Sequence, residues 1–321
     1  MRELSVRGIH LGKGELWALL AALTYALNNV FTGAAVHGHD LNYLVGVTLR
    51  ALPTLVISCV VGWGLRQRPR PAVSPVGDWR LALALLGNSL LTFVIAGPLQ
   101  FAALQAGGVV ITSPITGTQV LWGALVAAIF LHEALNRRMV LGIVVTILGI
   151  AFLAWGKSGG VVLSARWWLA IPYATATALC WSLAGVLITY AMRRGVDRFQ
   201  ALALAVCISL ACLNVYLLVS GDIIAYKTTP RQLLLSVFIA GIFGAVALIS
   251  ITSAMAFTSI ASANSINSLQ VALAPLIAWA FVGEHMNVPM VLGILLILVG
   301  VVVVQRARLV GGGETGRQVD E

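Results

Sequence analysis

QVLWGALVAAIFLHEALNRRMVLGIVVTILG, running from Gln119 to Gly149, is written a second time as QVALAPLIAWAFVGEHMNVPMVLGILLILVG, from Gln270 to Gly300. At a constant shift of 151 the two stretches agree at 13 of 31 positions. The agreement includes the run Met139 to Ile143, which returns as Met290 to Ile294, and the pairs Glu133/Glu284, Asn136/Asn287 and Gly149/Gly300. Self-similarity at a fixed spacing marks an internal repeat, and a repeat governs every later reading of the chain. Working outward, residues 22–30 (ALTYALNNV) have a fainter echo in residues 178–186 (ALCWSLAGV), at a shift of 156. The chain is therefore two related halves of about 150 residues each.

A chain of 321 residues with 60% hydrophobic residues, 10% charged residues and a mean hydropathy of +0.96 falls outside the soluble globular class. It reads as an all-α polytopic membrane protein whose first partner is the lipid bilayer. The formal charge of +9 does not signal nucleic acid, because no basic stripe interleaved with aromatics exists and the Lys and Arg residues sit between apolar runs. Cys59, Cys180, Cys207 and Cys212 lie inside apolar runs without CxxC spacing, so they read as small apolar side chains and not as disulfides or metal ligands. The first apolar run follows Arg2, Arg7 and Lys13 as a signal peptide would, but it opens a repeat and is read as a retained helix.

A membrane-spanning helix needs about 20 mostly apolar residues. Ten such runs are expected, near 15–36, 41–65, 79–104, 109–131, 137–156, 167–191, 198–220, 232–256, 261–282 and 288–306. Turn and charge signals mark most joints, among them His37 to Asp40, Arg66 to Pro71, Arg137-Arg138, Gly159-Gly160, Arg193 to Gly195 and Lys227 to Pro230. The joints near Ala106-Gly107-Gly108 and Ser259-Ile260-Ala261 are short and uncharged. With the N-terminus inside, cytoplasmic segments hold 15 Lys and Arg residues against four outside (Lys157, Arg166, Lys227 and Arg231), and both termini are expected to be cytoplasmic. Five spans per half is an odd number, so the second half, 167–306, enters the membrane from the side opposite to the first, 15–156. Inverted repeats are the usual construction of secondary transporters, since two pseudo-equivalent halves can expose one midplane site alternately. Residues 307–321, with Gly311 to Gly313 and mixed charges, are expected to form a flexible cytoplasmic tail.

Ten runs in two five-helix repeats, Gly283-Glu284 at the end of the ninth run, the following Met-Val-Leu-Gly-Ile pattern, Arg50 early in the second run and Pro275 in the ninth together resemble the EamA branch of the drug/metabolite transporter superfamily. The resemblance covers residues 15–306. The first half departs from it at His132, where the second half has Gly283, and at Ala124, where it has Pro275. What the resemblance implies is a ten-helix metabolite transporter, often an exporter of amino acids or related small molecules.

An ionisable residue inside a bilayer is costly to keep, which makes Arg50 a candidate by default. It lies about nine residues, or about 14 Å, into its run, too deep for easy snorkelling. Its guanidinium either binds a substrate carboxylate or phosphate bidentately or ties helix carbonyls near the outer surface. Polar side chains in the other runs recur at helical spacing. Thr112, Thr116 and Gln119 share a face at i, i+4, i+7, and Asn267 and Gln270 repeat the last two at i, i+3. The first run adds Thr24, Tyr25, Asn28, Asn29 and Thr32, and the third adds Asn88, Ser89, Thr92 and Gln100. These groups either wall a hydrogen-bonding cavity or join helix to helix, at about 1 kcal/mol per bond.

Trp17, Trp63, Trp79, Trp155, Trp167 and Trp168 fall near span ends, as interfacial belts do, while Trp122 and Trp181 fall mid-span, where an indole packs either a substrate or a neighbouring helix. Pro98, Pro114 and Pro275 interrupt their runs and are candidate kinks or hinges. Gly142/Gly149 and Gly293/Gly300 recur seven residues apart and read as close helix packing, within one protomer or across a homodimer.

The candidate substrate-binding set is thus Arg50, Tyr25, Asn28, Thr92, Thr116, Gln119, Trp122, Trp181, Asn267 and Gln270. No Asp or Glu falls mid-span: Glu15, Asp40, Glu133, Asp222 and Glu284 lie at run ends or in loops, and His10, His37, His39, His132 and His285 are peripheral. A proton relay commonly needs such groups in the membrane, so export or exchange down a gradient is expected, with Glu133 or Glu284 drawn inward as the alternative. An Arg without an intramembrane acid favours an anionic or zwitterionic small-molecule substrate over a cationic drug. No HExxH, GxSxG or P-loop is present, so neither enzyme, cofactor nor metal centre is expected, and a lipid or lipid-linked sugar flippase is the alternative transport reading. Compact joints point to a bacterial inner membrane.

Overall fold

In hydrocarbon every backbone N–H and C=O must be satisfied within the protein, and a helix does this locally. The computed structural model describes residues 4–6, 9–36, 41–65, 78–130, 136–158, 167–282 and 287–315. It is helical throughout except for a small hairpin before the first helix, β1 (Leu4–Val6) and β2 (Ile9–Leu11), paired antiparallel with Ser5 opposite His10. The first half comprises α1 (Lys13–Val36), α2 (Tyr43–Leu65), α3 (Trp79–Ser89), a π-helical stretch Leu90–Ile95, α4 (Ala96–Gly117), α5 (Gln119–Phe130) and α6 (Arg137–Ser158). The second half opens with a 3₁₀ turn at Trp167–Leu169. It continues with α7 (Ala170–Arg193), α8 (Arg198–Val219), a second 3₁₀ turn at Asp222–Ile224, α9 (Ala225–Thr228), α10 (Arg231–Phe257), α11 (Ile260–Asn267), α12 (Leu269–Val282) and α13 (Val288–Thr315).

Seven stretches among the described residues are long and apolar enough to cross a membrane, from Lys13–Gly33 to Arg231–Phe257, and Ile115–Phe130 and Val288–Val304 are shorter apolar helices. The outer faces are apolar, with Val60 66%, Leu141 58% and Leu295 52% exposed, whereas Asn28, Asn88, Asn264 and Asn267 are buried inside. That inversion of the soluble pattern is what a lipid surround selects.

The two halves interleave. The first helix of each half packs along the third element of the other, α1 on α10 and α7 on α3 and α4, while α2 lies on α8 and α6 on α13. The last of these pairings explains the repeated stretch. A Cβ on Gly142 would meet the Gly300 carbonyl at 2.9 Å, and one on Gly149 would meet the Gly293 carbonyl at 2.8 Å and the Ile297 nitrogen at 2.7 Å. These paired approaches run in opposite chain directions, so α6 and α13 are antiparallel and touch backbone to backbone. Asn136 and Asn287 recur because each caps one of these helices: Asn136 Oδ1 accepts from the Met139 N–H at 2.8 Å, and Asn287 Oδ1 from the Met290 N–H at 3.1 Å. Such a cap contributes about 1 kcal/mol. Asn287 also donates across the seam to the Gly156 carbonyl at 2.6 Å.

Three expectations change. No break occurs at Ala106 to Gly108: the chain is helical from Ala96 to Gly117 and breaks at Thr118 instead. Two glycines weaken a helix, but in an apolar surround leaving their peptide groups unpaired costs more. The ninth run divides at Ser268 into α11 and α12, so the breaks fall at Thr118 and Ser268 while Pro98, Pro114 and Pro275 lie within helices. Finally, α13 continues to Thr315, so the segment expected as a tail from 307 is helical over its first part. A helix once formed extends at one hydrogen bond per residue, which offsets the weak propensity of Gly311 to Gly313. Glu133, Glu284, His132 and Gly283 lie outside the described residues.

The seam makes a sharp contrast testable. Gly149→Val puts carbon against backbone atoms that cannot turn aside, so α6 and α13 must part, at about 1–3 kcal/mol. Gly87→Ala meets only the tip of Leu187 at 2.9 Å, a flexible side-chain end. Thermal unfolding in detergent should show a clearly lowered Tm for Gly149→Val and little change for Gly87→Ala.

Candidate functional site

A cavity of about 130 Å³ lies between the halves, lined by α1 to α5 from the first and by α7, α8 and α10 to α12 from the second. That is about ten times the space needed to admit one water. Nine of the ten substrate-binding candidates line it: Tyr25 and Asn28 on α1, Arg50 on α2, Thr92 in the π stretch, Thr116 and Gln119 flanking the first break, Trp181 on α7, and Asn267 and Gln270 flanking the second. Trp122 does not. It follows Gln119 by three residues, about 4.5 Å along α5, which carries it past the cavity edge.

Local backbone breaks bring these side chains together. Thr118 Oγ1 donates to the Ile115 carbonyl at 2.6 Å, and Ser268 Oγ donates to the Ser265 carbonyl at 2.6 Å. Each hydroxyl thus satisfies a carbonyl where the helix is interrupted. Gln119 is the first residue of the helix beyond one break and Gln270 the second residue of the helix beyond the other. The π stretch does similar work on the opposite wall, since its wider turn presents both Thr92 and Phe93 to the cavity; single π turns are frequent at functional sites.

Polar contacts join the halves across the cavity. Asn29 Nδ2 donates to Gln270 Oε1 at 3.2 Å, Asn88 Nδ2 to the Ala184 carbonyl at 2.9 Å, and Ser182 Oγ to the Gln119 carbonyl at 3.4 Å. Other groups are left over. Asn28 Oδ1, Gln100 Oε1 and Asn267 Oδ1 are buried without a hydrogen-bond partner, although all three residues line the cavity. A buried polar atom without a partner costs about 1–3 kcal/mol, so three around one space amount to a standing demand for donors.

Arg50 is the one cation among the lining residues, and none of them is a carboxylate. Its guanidinium carbon lies 5.3 Å from the centre of the Phe101 ring. Space for it comes from the other half: a Cβ on Gly241 would lie 2.9 Å from Arg50 Cα, and one on Gly244 would lie 2.9 Å from Asn28 Oδ1 and 4.0 Å from Arg50 Cγ. The site can therefore offer a guanidinium fork and several amide acceptors. Among the described residues no group of His, Cys, Asp and Glu is arranged to hold a metal.

Sequence reasoning missed Thr54, Thr252, Phe93 and Gly244 as lining residues. Thr54 stands four residues after Arg50 and was within reach of helical spacing. Gly244 carried no signal, because its role rests on what stands opposite it. Thr112 and Thr32 are buried but do not line the cavity.

No protein of curated function matches the sequence. A crystal structure of another protein is similar over 91% of this chain and 97% of its own, with a TM-score of 0.71 at 16% identity, which speaks for the fold alone. The model of the EamA-like transporter family matches twice, over residues 12–155 and 168–306. The chain, with both of its halves so matched, belongs to the EamA-like transporter family, within the drug/metabolite transporter superfamily.

Proposed function

We propose that the protein is a secondary transporter that exports a small zwitterionic or anionic metabolite, an amino acid or a related compound. The substrate binds at the midplane cavity between two inverted halves, and rocking of the halves exposes the site to each side in turn. The observation that carries this reading is a cavity built by both halves and furnished with one guanidinium, no carboxylate and three unpaired amide acceptors. Arg50 takes the carboxylate, while Asn28 and Asn267 take a donor such as an ammonium. Tyr25, Thr92, Thr116, Gln119, Trp181 and Gln270 complete the contacts. A cationic drug would meet Arg50 with no opposing charge.

On the same reading the chain crosses the membrane ten times. The long helical path from Trp79 to Phe130 supplies the third and fourth crossings, and α11 with α12 supplies the ninth. The antiparallel seam of α6 and α13 supports the inversion, and the bias of Lys and Arg supports cytoplasmic termini in an inner membrane. The Asn29–Gln270 bond ties α1 of one half to α12 of the other, so it is made or broken as the halves move.

Two outcomes are expected. In reconstituted vesicles loaded with a mixture of radiolabelled L-amino acids, Arg50→Ala should lower counterflow at least tenfold and Gln270→Ala by a few fold. Normal flux in both variants would refute the site. A fluorescent protein that matures only in the cytoplasm, fused after Glu321, should fluoresce in intact cells, and a dark fusion of normal abundance would reverse the orientation.

A further inference from the structure

We infer that Phe101 is a positioning residue: its ring face holds the Arg50 guanidinium in the cavity and thereby sets the preference for substrates that carry a carboxylate. The inference rests on the reading of Arg50 as the anion-binding group. It starts from how Arg50 is held. A cation in an apolar surround is ordinarily fixed by an acid, which would use up its donors. Here the Phe101 ring lies 5.3 Å away at the centroid, the other side chain acting on the charge is the phenol of Tyr25, and no lining residue is a carboxylic acid. A ring attracts a cation through its face and accepts no N–H in the guanidinium plane. The five donors of the fork therefore stay available to a bidentate anion.

The ring itself is fixed. Phe101 is fully buried, and a Cβ on Gly46 would stand 3.0 Å from its Cε1 and Cζ atoms. Gly46 precedes Arg50 by one helical turn, so the two share a face of α2, and the ring fits the step between them. One turn before Phe101, a Cβ on Gly97 would meet both Cγ atoms of Val47 at 2.9 Å, which draws the start of α4 onto α2. On the far side Gly241 admits the Arg50 backbone. Glycine thus lets the ring and the neighbouring helix close on Arg50 from two sides, and the Arg50 side chain lines the cavity.

The test separates charge recognition from packing. In vesicles, counterflow of the labelled amino-acid mixture is inhibited by L-norvaline or by L-norvalinamide, a matched pair in which the amide lacks the carboxylate. Wild type should prefer the acid. Phe101→Leu, which keeps apolar volume and loses the ring, should reduce that preference about tenfold, whereas Phe101→Trp, which restores an aromatic face, should hold it within about twofold of wild type. Equal loss of flux for both competitors in Phe101→Leu, or an unchanged preference, would overturn the inference and leave the reading of Arg50 standing. If Arg50→Ala keeps the preference for the acid, or wild type has none, the parent reading fails and the inference with it.

Discussion

A peptide group in hydrocarbon has no water to turn to, and this constraint decides both where the chain is regular and where it is allowed to deviate. The described helices deviate inside the membrane-facing body at three places, and each carries its own remedy. At Thr118 and Ser268 a hydroxyl closes on a carbonyl one turn back. At the third, Pro98 lacks the N–H that an α-helix would deliver to the Val94 carbonyl, and the turn just before it is π-helical, with the Ala96 N–H reaching back to Leu91. All three deviations border the cavity. Irregular backbone at membrane depth is tolerated where it lines a space within the protein, and here the residues beside each repair, Thr116 and Gln119 at the first break and Asn267 and Gln270 at the second, line that space.

The second constraint is close approach. Helices without a hydrophobic drive between them associate through packing, and small residues allow backbones to touch. Gly142 with Gly300 and Gly149 with Gly293 make one such contact, and Gly241 with Arg50 makes another. The first is symmetric between the halves and binds them together. The second has no counterpart in the relation between the repeats, and it serves the site.

These two constraints account for what was legible in the sequence. The repeat could be read directly, and glycines at a period of seven mark a packing face in one dimension, but that α6 and α13 of one chain meet there, with Asn136 and Asn287 as their caps, is visible only in three. The polar wall could also be read, since Asn28, Gln119, Asn267 and Gln270 stand out against an apolar background at helical spacing. Trp122 shows where such reading ends: periodicity assigns a face, while membership of a cavity also needs depth, and one turn along α5 was enough to exclude it. Phe101 and Gly244 show a second kind of limit. An apolar ring and a glycine are unremarkable in an apolar helix, and their meaning comes entirely from Arg50 and Asn28 on other helices. The strand pair Leu4–Val6 and Ile9–Leu11 escaped for a simpler reason, being two strands of three residues beside a strong helical signal.

The site also departs from the symmetry of its scaffold. At the shift of 156 that relates residues 22–30 to 178–186, Arg50 falls on Val206, which is fully buried. The charge therefore belongs to the first half alone, although both halves build the cavity. An anion paired with Arg50 would stay with α2 as the halves rocked, and the contacts it exchanged would be those from the second half, Asn267, Gln270 and Trp181. Symmetry would equalise the energies of the two access states. On the proposed alternating-access reading the lone guanidinium would make the substrate's environment differ between them, since Phe101 is carried by the same half as Arg50 and Gly241 by the other. A duplicated scaffold with its charge left unduplicated is what the proposed mechanism requires of a site that binds its substrate in one orientation and presents it to both sides.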